Sequence, residues 1–299
     1  MKRGHWQILL AAALFLLALG LTLYPVVSNW YIGRHQSRIQ TEYREVLEQT
    51  DSAEIESIRK RAVAYNKTIT PGAAEEAYSQ KSIRLAAEDY VNRLNVSGSG
   101  IMGYVEIPKI GVDLPIYHGT GADSLDRGTG HLLGSSLPVG GESTHTIITG
   151  HSGMASQKMF TDLEQLREGD IFYLHVLDET LTYEVREIHT VLPHDTTYLG
   201  IEPGEDLCTL VTCTPTGVNT HRLLVHGSRI PYVPTEETEA SAVLHEENTD
   251  SNWEKQYWLG VRLGLAAMVF LTLVAGAVLY IRRNRGRAVH RKGGRYVRK

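Results

Sequence analysis

Two long apolar runs, one near each end, decide where the rest of this chain has to fold. The first, WQILLAAALFLLALGLTLYPVV, extends from Trp6 to Val27, and the second, LGLAAMVFLTLVAGAVLYI, from Leu263 to Ile281 without a charge. Roughly 20 apolar residues suffice to span a bilayer, so both read as membrane helices. Lys2 and Arg3 precede the first run, as in a secretory signal, but no A-x-A site follows it, which favours an uncleaved anchor. Basic residues gather on the cytoplasmic side of such helices. The tail after Ile281, RRNRGRAVHRKGGRYVRK, holds nine Lys or Arg and no acid. Both termini are therefore expected in the cytoplasm, with residues 29–256 outside the cell membrane.

Charge is divided along the same lines. All 34 acids fall between residues 29 and 256, together with 18 of the 30 bases, a net of −16 for that window. An acidic ectodomain excludes nucleic acid as a partner, and the basic tail reads as a topology signal and a contact for anionic membrane lipid. The two cysteines, Cys208 and Cys213, stand five apart in LCTLVTC. On a strand they are separated by roughly 16 Å and face opposite sides, so they neither bridge each other nor share a metal ion. No EF-hand spacing of oxygen ligands occurs, and neither a metal nor a cofactor is expected.

Between the runs the pattern changes twice. Residues 35–65 carry Ile39, Tyr43, Leu47, Ile55, Ile58, Ala62 and Tyr65 at steps of three, four or eight on a charged background, which is an amphipathic helix or helix pair. A second helical stretch is expected from about Ala74 to Leu94, after a break at Pro71 and Gly72 in NKTITPG, and NVSGSG at 95–100 reads as a linker. From Gly103 to Pro231, β-type runs alternate with Gly, Pro, Asp and Asn: GYVEI, DLPIYH, THTIITG, DIFYLHV, LTYEVREIHTV, CTLVTC and HRLLVHGSRI. Seven or eight short strands in this length point to a closed, antiparallel-rich barrel or a sandwich. MFTDLEQL at 159–166 is the one helix expected within it. Gly98 to Gly103 matches G-x-G-x-x-G, but a strand follows and no strand precedes it, so dinucleotide binding is rejected. The domains are thus 1–28, cytoplasmic N-terminus and anchor; 29–100, helical extension with a possible lid; 101–232, the β domain; 233–256, an acidic linker; 257–281, the second membrane helix; and 282–299, the basic tail.

The chemistry concentrates in TLVTCTPTGVNTHRLLVHGSR, residues 209–229. Two antiparallel strands joined by a loop with Pro215, Gly217 and Asn219 would set His221 opposite Cys213 by symmetric pairing across seven residues. A one-residue bulge or offset would instead bring Arg222 beside the thiol on the same face. A guanidinium near a cysteine favours the nucleophilic thiolate and can donate to an oxyanion. An arbitrary cysteine is more often a small buried hydrophobe; one at a strand end beside a polar loop is less so. Cysteine nucleophiles generally work with a histidine. Among 13 histidines, His151 in THTIITGHSG sits just past a strand end between glycines, and His131 in GTGHLLG has a similar setting. Composition and spacing leave both open.

Together TLVTCTPTGVNTHRLLVHGSR, THTIITGHSG, GYVEIPKIGVDLPIYHGT and GHLLGSSLPVGGESTHTIITGH closely resemble the sortases, membrane-anchored cysteine transpeptidases of Gram-positive bacteria, over roughly residues 100–232. The resemblance implies a mainly β fold, an eight-stranded sortase β-barrel flanked by the helical extension and the two membrane helices. It also implies Cys213 as nucleophile, His151 rather than His131 as acid/base, and Arg222 as oxyanion or substrate stabiliser. The helical extension, the string VNTHRL and the second membrane helix with its basic tail are similar to class C sortases. Those polymerise pilin subunits by cleaving an LPxTG-like sorting signal through a thioester and joining it to an acceptor lysine. The alternative is a sortase that anchors surface proteins to cell-wall peptidoglycan; a thiol hydrolase and an anchored surface protein are more distant rivals. Class C enzymes often carry an Asp-Pro-aromatic lid. No Asp-Pro occurs here, so either TITPG forms an unorthodox lid or the site is open.

Overall fold

The computed structural model describes residues 2–69, 89–154 and 157–232, with helical positions between 259 and 276. Two compact units are defined, Met1–Pro25 with Glu254–Lys299 and Val26–Trp253. The lid segment beyond Ile69, most of the helix expected from Ala74, the acidic linker and the basic tail lie outside the described residues. In the first unit the backbone of the N-terminal apolar run is helical, and so are residues 259–266. Side chains of the N-terminal run are described only in part, and among the described residues no helix is long and apolar enough to cross a membrane.

The second unit opens with the helix pair read from the 35–65 periodicity: the end of α1 (Lys2–Gln49) and then α2 (Ser52–Asn66). The break falls at Asp51, whose carboxylate accepts the Ala53 N–H at the start of α2; a side-chain acceptor there satisfies a helix-end donor. The stripe packs inward as its spacing requires. Tyr43, Ile55 and Ala62 are buried, and Ile39, Leu47, Ile58 and Tyr65 are partly buried against the β domain. The Tyr43 hydroxyl donates to the Met102 carbonyl and accepts from the Leu177 N–H, tying α1 to two parts of that domain.

Eight strands close into a barrel: β1 (Ile101–Ile107), β2 (Val112–His118), β3 (Thr129–His131), β4 (Thr144–Thr149), β5 (Ile171–Val176), β6 (Glu179–Val191), β7 (Asp206–Thr214) and β8 (His221–Ile230). Their order around the barrel is β1-β2-β3-β4-β7-β8-β6-β5. Closure removes every sheet edge, which decides for the barrel over the sandwich. Two neighbouring pairs, β2–β3 and β4–β7, run parallel and the rest antiparallel. The run MFTDLEQL is a correction: it forms turns and one 3-10 turn, Leu163–Gln165. Met159, Phe160, Leu163 and Leu166 all enter the main core, a burial demand met by a folded-back turn as well as by a helix.

Residues alternate between two apolar clusters along the strands, as the two-residue period of a strand requires. Ile148, Cys208, Leu210, Leu223 and Val225 belong to the main core, while Ile147, Val211, Leu224 and Val191 join Leu132 and Leu199 in a second cluster on the other face. Leu199 comes from the loop 192–205 between β6 and β7, which covers that outer cluster.

Candidate active site

The site stands where β4, β7 and β8 end beside one another. β7 and β8 are antiparallel, and Cys213 pairs directly with Arg222, Thr214 with His221. The connecting loop is six residues, Pro215–Thr220, not seven, so the thiol and the guanidinium share a face without the offset considered from sequence. The symmetric pairing of Cys213 with His221 is thereby corrected. On the other side β4 and β7 are parallel, with Thr149 opposite Val211. The Gly150 N–H continues the ladder to the Val211 carbonyl at 3.0 Å. Two residues beyond that last pair come His151, just past the end of β4, and Cys213 near the end of β7, and both line one cleft.

Two contacts lock the histidine segment to the cysteine strand, and a third ties it to the turn at 159–166. Thr212 Oγ1 donates to the Gly150 carbonyl at 2.8 Å, Ser152 Oγ to the Cys213 carbonyl at 2.6 Å, and the Phe160 N–H to the His151 carbonyl at 2.9 Å. Position 150 has to be glycine, because a Cβ there would stand 2.7 Å from the Phe160 ring. Arg222 is steadied by its own loop, its Nη1 donating to the His221 carbonyl at 3.0 Å and the Asn219 carbonyl at 3.3 Å. Asn219 adopts a left-handed φ of 62°, a conformation asparagine tolerates better than most residues.

His151, Cys213 and Arg222 line one cavity of about 260 Å³, together with the outer apolar cluster, which forms its floor. Cys213 is half-buried and unpaired by disulfide. Cys208, five residues earlier, is fully buried, and burial holds its thiol well above the ordinary range; it is a packing residue. His131 is likewise structural. It is fully buried, with Nδ1 against the Tyr90 hydroxyl at 2.8 Å and Nε2 against the Ser136 carbonyl at 2.8 Å. Desolvation lowers it to about 4.

Sequence reading missed three residues. Asp126, just after the helical turn Ala122–Leu125, places Oδ1 3.9 Å from His151 Nε2. Ser152 and Thr212 supply the cross-ties described above. The two ties stand next to the residues singled out and were findable by adjacency; Asp126 reaches the site only through the parallel β2–β3 pairing, which no local pattern announces. Among the described residues no cluster of three or more His, Cys, Asp or Glu is arranged to hold a metal ion.

A thiol, an imidazole and a guanidinium around one apolar cleft are suited to acyl transfer through a thioester. A family model described as the sortase domain matches residues 105–230. Sortase C of Streptococcus pneumoniae, whose structure bears on catalysis and pilin substrate specificity, is 45% identical with a TM-score of 0.59, over 66% of this chain and 100% of that one. Sortase C1 of Streptococcus agalactiae is 43% identical with a TM-score of 0.61, again over 66% and 100%. A protein named Sortase A from Streptococcus agalactiae serotype III is 27% identical over 222 residues, 73% of this chain and 82% of that protein.

Proposed function

Since the chain belongs to the sortase family of cysteine transpeptidases, we propose that it polymerises pilin: it cleaves an LPxTG-like sorting signal after the threonine and joins the acyl group to a lysine amine of another pilin subunit. The observation that carries this reading is the likeness to two C-type sortases at 45% and 43% identity, each covered over its full length, one of them described for pilin substrate specificity.

In this reading the Cys213 thiolate attacks the carbonyl carbon of the Thr–Gly bond, and Arg222, its cross-strand neighbour, donates to the developing oxyanion. The C–N bond then breaks as the His151 imidazolium gives its proton to the departing glycine amine, leaving a thioester on Cys213. Neutral His151 next takes a proton from the incoming lysine amine, which attacks the thioester. The C–S bond breaks, an isopeptide bond forms and the free thiolate returns. The apolar floor of the cleft suits the leucine and proline of the signal. Two membrane helices with cytoplasmic ends hold the domain at the outer membrane surface beside lipid headgroups, where membrane-tethered pilins present their signals.

The test offers the protein a sorting-signal peptide together with two competing amines, a pilin carrying its acceptor lysine and a cell-wall peptide, and weighs the products. Isopeptide on the pilin lysine is expected. Transfer to the wall amine would move the assignment to surface-protein anchoring, and release to water alone would make the protein a hydrolase.

A further inference from the structure

Further along the same outer face, next to the apolar floor, lies a buried chain of hydrogen bonds that the transfer chemistry does not use. His145 of β4 places Nδ1 2.7 Å from the Gly200 carbonyl and Nε2 2.6 Å from Thr209 Oγ1 on β7. Thr209 is in turn 2.7 Å from Nδ1 of His226, its cross-strand partner on β8. The direction of every bond follows from Gly200. A carbonyl only accepts, so His145 carries its proton on Nδ1 and its bare Nε2 must accept from the threonine hydroxyl. With that single proton committed, Thr209 Oγ1 accepts from His226 Nδ1–H. His226 Nε2 is left as a lone pair, buried and without a hydrogen-bond partner among the described residues. Protonating His145 would replace the acceptor that Thr209 donates to with a second donor, and protonating His226 would place a proton on a buried, partnerless Nε2.

Its two ends grip the 192–205 loop. Gly200 is one grip, and Tyr198 is the other, stacked on His189 with ring centroids 3.9 Å apart and 6.1 Å from the His226 ring. That loop contributes Pro193, Asp195 and Leu199 to the wall of the cleft. We propose that the His145–Thr209–His226 chain is a latch that docks the 192–205 loop against the barrel, so that these three act as positioning residues for peptide binding and release the loop on mild acidification. The inference rests on the reading of the cleft as the peptide site.

The surroundings set the sign. His226 is faced by His145 from β4, by Glu187, His189 and Arg186 from β6 and by Tyr198 from the loop, and His145 by Glu202 and Arg186. Desolvation leads in lowering both, His226 from 6.5 to about 4. Undocking returns the imidazoles to water, so the undocked loop binds more protons between those limits and gains population as pH falls below about 6.5. One such histidine multiplies the undocked fraction about tenfold at pH 5.5.

The test uses the full chain in detergent, with Thr209→Val and Thr209→Ser. Amide hydrogen exchange of residues 192–205, corrected for intrinsic rate, is read at pH 7.5 and 5.5 beside KM and kcat for acylation by an LPxTG-like peptide. In the wild type the loop should exchange about tenfold faster at pH 5.5. Thr209→Val, which keeps the branched shape but not the hydroxyl, should loosen the loop about tenfold already at pH 7.5. It should raise KM about threefold or more with kcat within about twofold. Thr209→Ser should restore both. A valine variant as protected as wild type at pH 7.5, a wild-type loop indifferent to acid, or a loosened loop with unchanged KM would each overturn the latch. Absence of any acyl-enzyme in the wild type would instead sink the functional reading, while the exchange data still judge the latch.

Discussion

Along β7 the residues facing the main core, Cys208 and Leu210, are sealed, whereas the outward ones, Thr209, Val211 and Cys213, run from the buried latch past the cleft floor to the half-buried thiol. The same alternation holds on β8, with Leu223 and Val225 in the main core and Arg222, Leu224 and His226 on the outer face. One side of each strand therefore packs the barrel core while the other lines the cleft and the buried latch. The arrangement teaches that adjacent residues in a single run answer to different demands, so substitutions one position apart should fail in different assays.

The largest effect falls on the outer side. Cys213→Ala should abolish the acyl-enzyme and the transfer product, seen as the unmodified mass after mixing with peptide, with the thermal transition kept. Phe172→Ala, on the inner side, should cost about 3–5 kcal/mol of stability in chemical denaturation, since Phe172 is fully buried and stacked on Tyr183 at 5.5 Å. Acid probes the buried interior near the site as well. His131 is lowered from 6.5 to about 4, so the stability it contributes is complete above pH 6.5 and lost as pH falls towards 4. That amounts to about 3 kcal/mol, to be read as a fall in unfolding free energy between pH 7 and 4. Arg222→Lys keeps the charge but not the planar fork and should lower kcat about 10²-fold while stability stays within about 0.5 kcal/mol. Cys208→Ser, the inner counterpart of Cys213, should cost about 1–3 kcal/mol by burying a hydroxyl among apolar neighbours, and the folded fraction should acylate at the wild-type rate. Equal effects of substitutions at 208 and 213 in both assays would break the comparison.

Much of this was legible because it is local. The helix stripe from Ile39 to Tyr65, seven of the eight strands and the Cys213–Arg222 hairpin all write their periodicity or turn residues into the sequence. β3 escaped because three residues, Thr129–His131, are too few for a period. The parallel pairing of β4 with β7 escaped because nothing local encodes which strands meet, and it is that pairing which brings the end of β4, and His151 after it, beside the cysteine strand. Spacing alone favoured His151 over His131 without deciding between them. Burial separates them, since His131 spends both ring nitrogens on Tyr90 and Ser136. The 159–166 segment misled because Met159, Phe160, Leu163 and Leu166 meet helical spacing by packing requirement, and a turn with a left-handed Met159 at φ 45° satisfies it too.

The thiol strand has one neighbour running with it and one running against it, and this makes the site behave like a vernier. A residue inserted in β4 would slide the imidazole by about 3.3 Å and leave the guanidinium in place. One inserted in β8 would do the reverse. Either change spoils a single alignment, so activity tuned by lengthening strands is a narrow path, and variants with altered preference are better sought in the cleft-covering loop, where the two rulers do not reach.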